Sequence, residues 1–456
     1  MRWSYVEAGD DEIQREVHQS QRSLGLDPDL KLKVEAVTGP QLDHHQCRPL
    51  PLIQQDGGSC SHKYTWTNNY NKIMVIDYVH QYLITCGTLF QGICEKRHLS
   101  NISTMEPPNY TTYVVNVNQT SSTLAFIAPG PTDDPSQPDE VNVLYVAETF
   151  LKNWLYSSIP PLCSRKLSDF TLAYKNRDFY EESRLIFDKT HRNIFLVNYV
   201  YGFSSAGYSF FLARQPREIP AKEYHSVLIR LCQKDKAYRS YTEVPLVCRT
   251  KDGTYNQLQA ASVGTAGRKL ALSLGVSLPS KVIYAVFSSG QVTSSRSALC
   301  VYSLDSVNRV ITDAWKACFN GEGDYGGVHL KGYKSCTKNT ELAITEKYCG
   351  EVKTNNPLAI PDPIVADALV TFPEVPNRVI TALGVSITHE YTVAFAGTSD
   401  GHVSKVSVDS NTSANMYETV PIASGEAFKS DVAFDEEGEH LYLLTETKVS
   451  TILHVW

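Results

Sequence analysis

Cysteine is the residue type whose number and spacing say most about the chemistry of this chain. The 456 residues include 11 cysteines, and no Cys-x-x-Cys pair occurs among them, which argues against zinc and thioredoxin-type chemistry. Spaced cysteines in a large chain are typical of disulfides formed in an oxidising compartment. Because the count is odd, one thiol is expected to stay unpaired, and the most isolated cysteine, Cys163, is the candidate. Spacing alone suggests local pairs: Cys47 with Cys60, Cys86 with Cys94, Cys232 with Cys248, and Cys318 with Cys336.

Four asparagines stand in Asn-x-Ser/Thr sequences, the acceptor pattern for N-linked glycans. They are Asn101, Asn109, Asn118 and Asn411. Their polar or turn-rich surroundings predict positions at which a glycan can point to water. Together with the cysteines, they favour an extracellular glycoprotein.

Other residues that could form a metal, phosphate or catalytic site are better explained as parts of loops. His44 and His45 lack Cys, His or Asp partners at ligand spacing, so we interpret them as a solvated loop pair and predict no metal site. Gly264–Lys269 lacks the spacing and the Ser/Thr of a phosphate-binding loop, and Gly321–Gly327 is interpreted as a loop. No Ser/His/Asp set or pair of carboxylates stands out. We therefore predict neither an enzyme nor a bound cofactor.

The charge and hydropathy of the chain exclude two classes of partner. A net charge of −7 without a basic run argues against nucleic acid. No apolar run is long enough to span a membrane. The first twenty residues are acidic and polar and do not resemble a signal peptide. We therefore expect the chain to be part of a longer protein, which supplies any contact with the membrane.

The elements that position these groups are predicted to be mainly strands. Short runs rich in Val, Ile, Tyr and Phe recur along the chain, separated by turn signals such as Asp400-Gly401. Only Val307–Cys318 and Arg268–Leu274 have a helical pattern. So many short strands must have their edges protected, and the radial repetition of a β-propeller achieves this.

A series of motifs makes the chain resemble the Sema domain of the plexin family. The motifs are TGPQLDHHQC, ITCGTLFQGIC, NVLYVAETF, YVYGFSSAGYSFFL, IRLCQKDKAYRSYTEVPLVC, ALCVYSL, ACFNGEG and TVAFAGTSDGHVSKV. They follow the family's order from Leu26 to about Thr451, and the TSDG sequence is most similar to B-type plexins. The resemblance implies an all-β, seven-bladed β-propeller over residues 26–456. Residues 1–25 are expected to be an atypical, disordered segment that leaves the first blade incomplete, in a chain truncated at both ends.

The resemblance also implies which cysteines pair. It joins Cys47 to Cys60, Cys86 to Cys94, Cys232 to Cys349, Cys248 to Cys300, and Cys318 to Cys336. It thereby replaces the local Cys232–Cys248 pair and leaves Cys163 unpaired.

The resemblance implies the extracellular, semaphorin-binding part of a single-pass receptor that acts in axon guidance and cell migration. Receptor homodimer or co-receptor contacts are expected beside semaphorin. Two stretches resemble segments that contact the ligand: Asp178–Ser183, where Phe179 would be an anchor, and the residues after Cys336, namely Thr337, Lys338 and Asn339. The alternative for Phe179 is an ordinary core residue, and the alternative for Lys338 is a solvated surface charge.

Two other functions remain open from the sequence. A semaphorin or a Met-type receptor would share the propeller, but a Met-type receptor would carry a basic processing site inside the Sema domain, and no such run occurs here. A secreted propeller hydrolase would need clustered carboxylates or a nucleophile at the central channel, and a screen for glycosidase and esterase activity would separate this class.

Overall fold

Short antiparallel strands make up most of the regular secondary structure in the described residues, as predicted. The structure, a computed structural model, describes residues 3–8, 12–19, 22–26, 30–134, 136, 140–149, 159–177, 181–250, 253–289, 296–331, 336–340, 343–352, 357–372, 375, 378–388, 390–411, 413–435 and 437–453. Strands that follow one another along the chain pair as neighbours in the same sheet. The prediction of an all-β chain is therefore confirmed. The chain divides into two compact units, Met1–Tyr199 with Lys236–Tyr238, and Val200–Asp235 with Arg239–Trp456, called unit 1 and unit 2 below.

The described residues of unit 1 form three larger sheets and one small hairpin. The first sheet consists of β1 (Trp3–Ala8), β2 (Glu12–Gln19), β3 (Arg22–Leu26) and β4 (Leu32–Val37). The hairpin pairs β5 (Gln41–Asp43) with β6 (Thr65–Thr67), and helix α1 (Leu50–Asp56) lies between them in sequence. The second sheet consists of β7 (Asn71–Asp77), β8 (Tyr82–Gly87), β9 (Cys94–His98) and β10 (Asn101–Met105), with a short 3-10 helix at Leu89–Gln91. The third consists of β11 (Thr123–Pro131), β12 (Glu140–Glu148) and β13 (Leu162–Lys166).

The N-terminal sheet corrects the expectation for residues 1–25. We predicted a disordered segment there, but β1, β2 and β3 pair in register, for example Tyr5 with Arg15 and Val17 with Leu24. The prediction that this segment has no strand is wrong. It gave weight to the acidic, polar composition and overlooked aromatic and β-branched residues, which favour strands when neighbouring strands satisfy their backbone groups.

Apolar clusters in unit 1 lie between consecutive sheets. Ala36 of β4 packs with Met74, Leu83 and Ile102 of the second sheet. A further cluster joins the second sheet to the third and includes Cys163, which is buried and has no disulfide partner. Burial raises the pKa of the Cys163 thiol, so this group is protonated at neutral pH.

The described residues of unit 2 form four sheets, and the first strand of the first sheet begins two residues earlier, at the end of unit 1. The first consists of β14 (Asn198–Ser205), β15 (Tyr208–Pro216), β16 (Tyr224–Cys232), β17 (Thr242–Thr250) and β18 (Gly253–Tyr255), to which β22 (Leu358–Ala359) and β23 (Ile364–Val365) add along β17. The second consists of β19 (Gln257–Thr265), β20 (Lys281–Ser288), β21 (Ser297–Ser303) and β24 (Ala368–Thr371), with helix α2 (Arg268–Leu274) between β19 and β20. The third consists of β25 (Ile380–Thr388), β26 (Tyr391–Thr398), β27 (His402–Val408) and β28 (Ala414–Pro421). The last consists of β29 (Val432–Phe434), β30 (His440–Leu444) and β31 (Val449–Leu453).

An insertion interrupts the second sheet of unit 2 between β21 and β24, which are neighbours in that sheet. It begins with helix α3 (Leu304–Phe319), whose N-cap residue Ser303 accepts a hydrogen bond from the backbone N–H of Ser306 at 3.4 Å. It then continues through residues 320–367, from which β22 and β23 pair in parallel with β17 of the preceding sheet. The insertion therefore joins two neighbouring sheets of the same unit.

Five disulfides are present in the described residues, and they are the pairs that the resemblance implies. Cys47–Cys60 and Cys86–Cys94 lie in unit 1; Cys232–Cys349, Cys248–Cys300 and Cys318–Cys336 lie in unit 2. The local Cys232–Cys248 pair suggested by spacing is not formed. Both cysteines are directed to partners that are far away in sequence.

Candidate ligand-contact surface

The first predicted contact segment is described only in part. Phe179 and its neighbours at 178 and 180 lie outside the described residues. At the end of the same segment, Ser183 is fully buried, and its Oγ donates to the carbonyl oxygen of Ser164 at 3.1 Å. Arg184 and Glu182 form an ion pair at 2.5 Å. The described end of this segment is therefore internal structure, and the ligand contact of Phe179 stays a prediction.

The second predicted segment lies on the surface of the insertion. Lys338 is exposed and Asn339 is partly buried. The backbone N–H of Asn339 donates to the carbonyl oxygen of Phe319 at 2.8 Å, and the Cys318–Cys336 disulfide ties the start of the segment to α3. These two bonds fix the backbone beside the end of the helix and present the Lys338 side chain to solvent.

The loop after α3 lies against Lys338, although the sequence analysis treated it only as a loop. Gly321 has φ +81°, and a Cβ placed on it would lie 3.3 Å from the backbone nitrogen of Lys338. Glycine therefore allows both the backbone conformation and the close approach. The loop brings the exposed residues Glu322 and Asp324 into the same surface. The sequence contains one signal that the loop and Lys338 lie close together: Cys318 and Cys336 flank the loop and are expected to form a disulfide.

Trp315 anchors the underside of α3 in the core of unit 2. Its side chain is 0% exposed, and its ring lies 4.7 Å from that of Tyr348 and 6.0 Å from that of Phe319. The indole Nε1–H donates to Thr242 Oγ1 of β17 at 2.9 Å. Helix α3, to whose end the segment of Lys338 is attached, is thus fixed to the core of unit 2 by apolar burial together with a satisfied hydrogen bond.

A buried polar network attaches the loop after α3 to the same strand. Glu243 of β17 accepts from Tyr241 OH at 2.9 Å and from Gln215 Nε2 at 3.0 Å, and its Oε2 lies 3.1 Å from His329 Nε2. Burial by itself raises the pKa of Glu243, but His329, Tyr241 and Gln215 together hold that pKa below its usual value. Glu243 is therefore an ionised group whose hydrogen bonds fix the position of His329.

We expect the Glu243→Gln variant to be less stable than the parent at neutral pH, because it leaves the His329 contact without its carboxylate. Since the folded-state pKa lies below the usual value of 4.5, the contribution is present above about pH 4.5 and is lost as the pH falls through the folded pKa. Thermal melts of both proteins from pH 8 to pH 3.5 measure this. We expect the difference in melting temperature between the two proteins to stay constant down to about pH 5 and to become smaller below about pH 4.5. A difference that already disappears between pH 7 and pH 6 would contradict the prediction.

The chemistry of this surface suits recognition of a protein. Lys316 pairs with Asp313 at 3.2 Å on the exposed side of α3, and Lys338, Glu322 and Asp324 add charges of both signs. Within the described ranges, no group of three or more His, Cys, Asp or Glu side chains could hold a metal ion. No helix in the described part of the chain has the length and apolar character that crossing a membrane requires.

The four glycan acceptors differ in their surroundings. Asn101, Asn118 and Asn411 are exposed, whereas Asn109 is half-buried. The Asn109 Nδ2, to which a glycan would be attached, donates to Thr112 Oγ1 at 3.0 Å and to the carbonyl oxygen of Asp169 at 3.5 Å. The loop of Asn118 is held from below by the Lys72 ammonium, which donates to the carbonyl oxygens of Asn118 at 3.0 Å and of Gln119 at 3.4 Å.

The amino-acid sequence is similar to the Sema domain and to plexins. The family model described as the Sema domain matches residues 258–435. Plexin-A4 of Danio rerio is 32% identical over 94% of this chain and 23% of its own length. Plexin-A3 of Mus musculus is 29% identical over the same shares, and Plexin-A2 of Homo sapiens is 30% identical. The chain thus spans about a quarter of the length of these curated relatives.

Solved structures agree with the sequence matches. The full extracellular region of Plexin A4 superposes with a TM-score of 0.85 at 27% identity, covering 100% of this chain and 39% of that chain. These similarities support the prediction that the chain is related to the plexin family. Drosophila Semaphorin 1a superposes with a TM-score of 0.62 at 16% identity, covering 99% of this chain and 85% of that chain, which shows a shared fold only.

The plexin matches confirm some predictions and correct one. The all-β Sema propeller fold is supported, and the number of seven blades, which the resemblance implies, is not shown. A plexin Sema domain is a receptor ligand-binding fold and not an enzyme. The prediction of a B-type plexin, drawn from Thr398–Gly401, is wrong, because the matching relatives are Plexin-A4, Plexin-A3 and Plexin-A2.

Proposed function

We propose that this chain is the semaphorin-binding Sema domain of an A-type plexin receptor, facing the outside of the cell. The observation that carries the proposal is the match to the extracellular region of Plexin A4 over the whole chain, with a TM-score of 0.85. A fold neighbour with a TM-score of 0.56 comes from a solved complex of Drosophila Plexin A with Semaphorin 1b. The disulfides support an oxidising, extracellular environment.

The proposal extends to the architecture and to further contacts. The Sema domain is a seven-bladed propeller, in which each of the seven sheets with three or more strands in the described residues forms one blade; this number of sheets supports it. Because the first of these sheets begins at Trp3, the domain starts before residue 26, the boundary that the resemblance implied, and extends to residue 456. A second receptor copy or a co-receptor is a further partner. Semaphorin contacts Lys338 and Asn339 on the insertion and Phe179 in unit 1, and the exposure of Lys338 supports the first of these contacts.

We expect the Lys338→Glu variant to bind a semaphorin ectodomain at least about 10-fold more weakly than the parent, a loss of about 1.4 kcal/mol. Charge reversal at an exposed side chain on a fixed backbone replaces attraction with repulsion and leaves the fold intact. Surface plasmon resonance against a panel of semaphorin ectodomains measures the dissociation constants.

Lys222→Glu is the matched control for this experiment. Lys222 is also an exposed lysine of unit 2, where it faces Glu218 at 3.5 Å, and its reversal is expected to leave binding unchanged. Equal weakening by both variants would show a general charge effect and remove Lys338 from the contact. No binding of the parent to any semaphorin in the panel would overturn the proposed function itself.

We also expect the protein to carry N-linked glycans when it is produced through a secretory pathway. All four acceptors, Asn101, Asn109, Asn118 and Asn411, are expected to be mostly occupied, with Asn109 the lowest because its amide nitrogen already makes two hydrogen bonds. Glycopeptide mass spectrometry measures the occupancy of each site. An unchanged gel mobility after removal of glycans would contradict the prediction.

A further inference from the structure

Three histidines of unit 1 stack on one another beside the Cys47–Cys60 disulfide. The ring of His44 lies between those of His45 and His62, with centroids 4.9 Å and 4.7 Å away and planes inclined by 21° and 6°. His62 is separated from His44 in sequence, and the disulfide brings their two segments together. The sequence analysis interpreted His44 and His45 only as a solvated loop pair, so the third ring is a result of the fold.

Two buried polar side chains, Gln91 and Asp43, attach the backbone around this stack to the short 3-10 helix at Leu89–Gln91. Gln91 is fully buried, and its Nε2 lies 3.3 Å from the carbonyl oxygen of His44, 2.8 Å from that of His45 and 2.7 Å from that of Cys47. The carboxylate of Asp43 accepts from the backbone N–H of Phe90 at 2.8 Å. Helix α1, which lies within the same loop, contributes no buried residue. The loop between β5 and β6 is therefore held mainly by polar contacts at its base.

Burial and the two neighbouring imidazoles make the protonation of His44 unfavourable in this arrangement. Burial, followed by His45 and His62, lowers the pKa of His44, and Asp43 opposes them. Asp43 is itself buried, and burial raises its pKa. The other charged groups of the loop are the Arg48–Asp56 ion pair, at 2.7 Å, and Lys63. Protonation of more than one imidazole places like charges within 5 Å of each other.

We propose that the stack of His44, His45 and His62 is a pH-sensitive latch that holds the loop of residues 44–64 in place near neutral pH and releases it in acid. The neutral rings stack and keep the carbonyl groups of His44, His45 and Cys47 on Gln91. The protonated rings repel each other and favour water, so those carbonyl groups leave Gln91, while the disulfide keeps the loop closed on itself.

The direction of the pH effect follows from the shift of His44. Because its folded-state pKa lies below the usual value of 6.5, the released loop binds protons more readily than the held loop. The stabilisation is therefore complete above about pH 6.5 and is lost as the pH falls toward the folded pKa. This is the pH range in which an unperturbed histidine changes its charge.

Release changes an apolar surface at the same hairpin. Leu42 of β5 is paired with Trp66 of β6, and both side chains are exposed, Trp66 to 72%. The loop of residues 44–64 connects these two strands, so its release alters how the two side chains are presented. This inference does not depend on the proposed function.

Hydrogen exchange of the full glycosylated chain tests the latch. Amide exchange of peptides that cover residues 43–67 is measured by mass spectrometry at pH 7.5 and pH 5.5, with exchange times scaled for the intrinsic pH dependence. We expect protection in this segment to fall by about 10-fold or more at pH 5.5, while the strands of the second sheet keep theirs. Equal protection at both pH values overturns the proposal.

Three variants separate the latch from a general acid effect. His44→Phe and His62→Phe both keep an aromatic ring in the stack. His44→Phe removes the group whose pKa is lowered and is expected to lose the pH response, and His62→Phe removes a neighbour that lowers this pKa and is expected to weaken the response. His191→Phe removes an imidazole 3.7 Å from Asp188, outside the stack, and is expected to respond like the parent. A parent-like response in both His44→Phe and His62→Phe overturns the proposal, and the two positions serve as independent checks should one disturb the loop at pH 7.5.

Discussion

Replacement of Trp315 by alanine is expected to lower the free energy of unfolding by about 3–5 kcal/mol. The indole is fully buried in unit 2 and packs on Tyr348 and Phe319, so its removal loses transfer free energy and opens a cavity. It also leaves Thr242 Oγ1 without the indole donor. Denaturant unfolding followed by circular dichroism measures the change as a shift of the midpoint.

Trp66→Ala is the matched control for this prediction. The same change is made at a side chain that is 72% exposed on the β5–β6 hairpin, so an effect within about 0.5 kcal/mol is expected. Similar losses for the two tryptophans would contradict the assignment of Trp315 as the anchor of α3. The segment of Lys338 is attached to the end of α3. Trp315→Ala is therefore also expected to weaken semaphorin binding.

Replacement of Cys232 and Cys349 together by serine is expected to cost about 2–5 kcal/mol of stability and to reduce secretion strongly. The bond closes a separation of 117 residues and ties the end of β16 to the last part of the insertion. Without it, the unfolded chain gains freedom and the insertion keeps only its non-covalent contacts with the sheet. Secreted yield and the unfolding midpoint are the measurements.

The double replacement of Cys47 and Cys60 by serine is the control with the same chemistry. This bond closes a separation of only 13 residues, in a loop whose helix buries no side chain. A smaller loss of stability is therefore expected, with the effect confined to the loop. If loss of the Cys47–Cys60 bond destabilised the protein as much as loss of the Cys232–Cys349 bond, this would contradict a special dependence of the insertion on its disulfide.

Much of this protein is determined locally by its sequence. Alternating and β-branched runs predicted strands, and the helical pattern of Val307–Cys318 and Arg268–Leu274 corresponds to α3 and α2. Local patterns suffice here because strand and helix periodicity depend on residues that are close in sequence. The ordered motifs pointed to a plexin Sema domain, and the comparisons support that family but correct its type.

Pairing over long distances was beyond the reach of local patterns. Cys248 lies in β17 and Cys300 in β21, on different sheets, so their sulfur atoms meet only after both sheets have formed. The family resemblance supplied this pair, whereas spacing suggested Cys232 with Cys248. The strands of residues 3–26 were overlooked for a related reason: their hydrogen bonds are completed by one another and by β4, and composition does not report a partner strand.

The contacts between the polar groups of the two buried or stacked clusters depend on the tertiary structure alone. His44 and Glu243 lie in two of the motifs, but their partners His62 and His329 are remote in sequence and lie in none, yet each pair is in contact. The sequence determined which residues are present and which strands they form. The folded chain determined which side chains lose water together and which partners they gain. Burial lowers the pKa of His44, whereas contacts with His329 and two further hydrogen-bond partners outweigh burial and lower the pKa of Glu243.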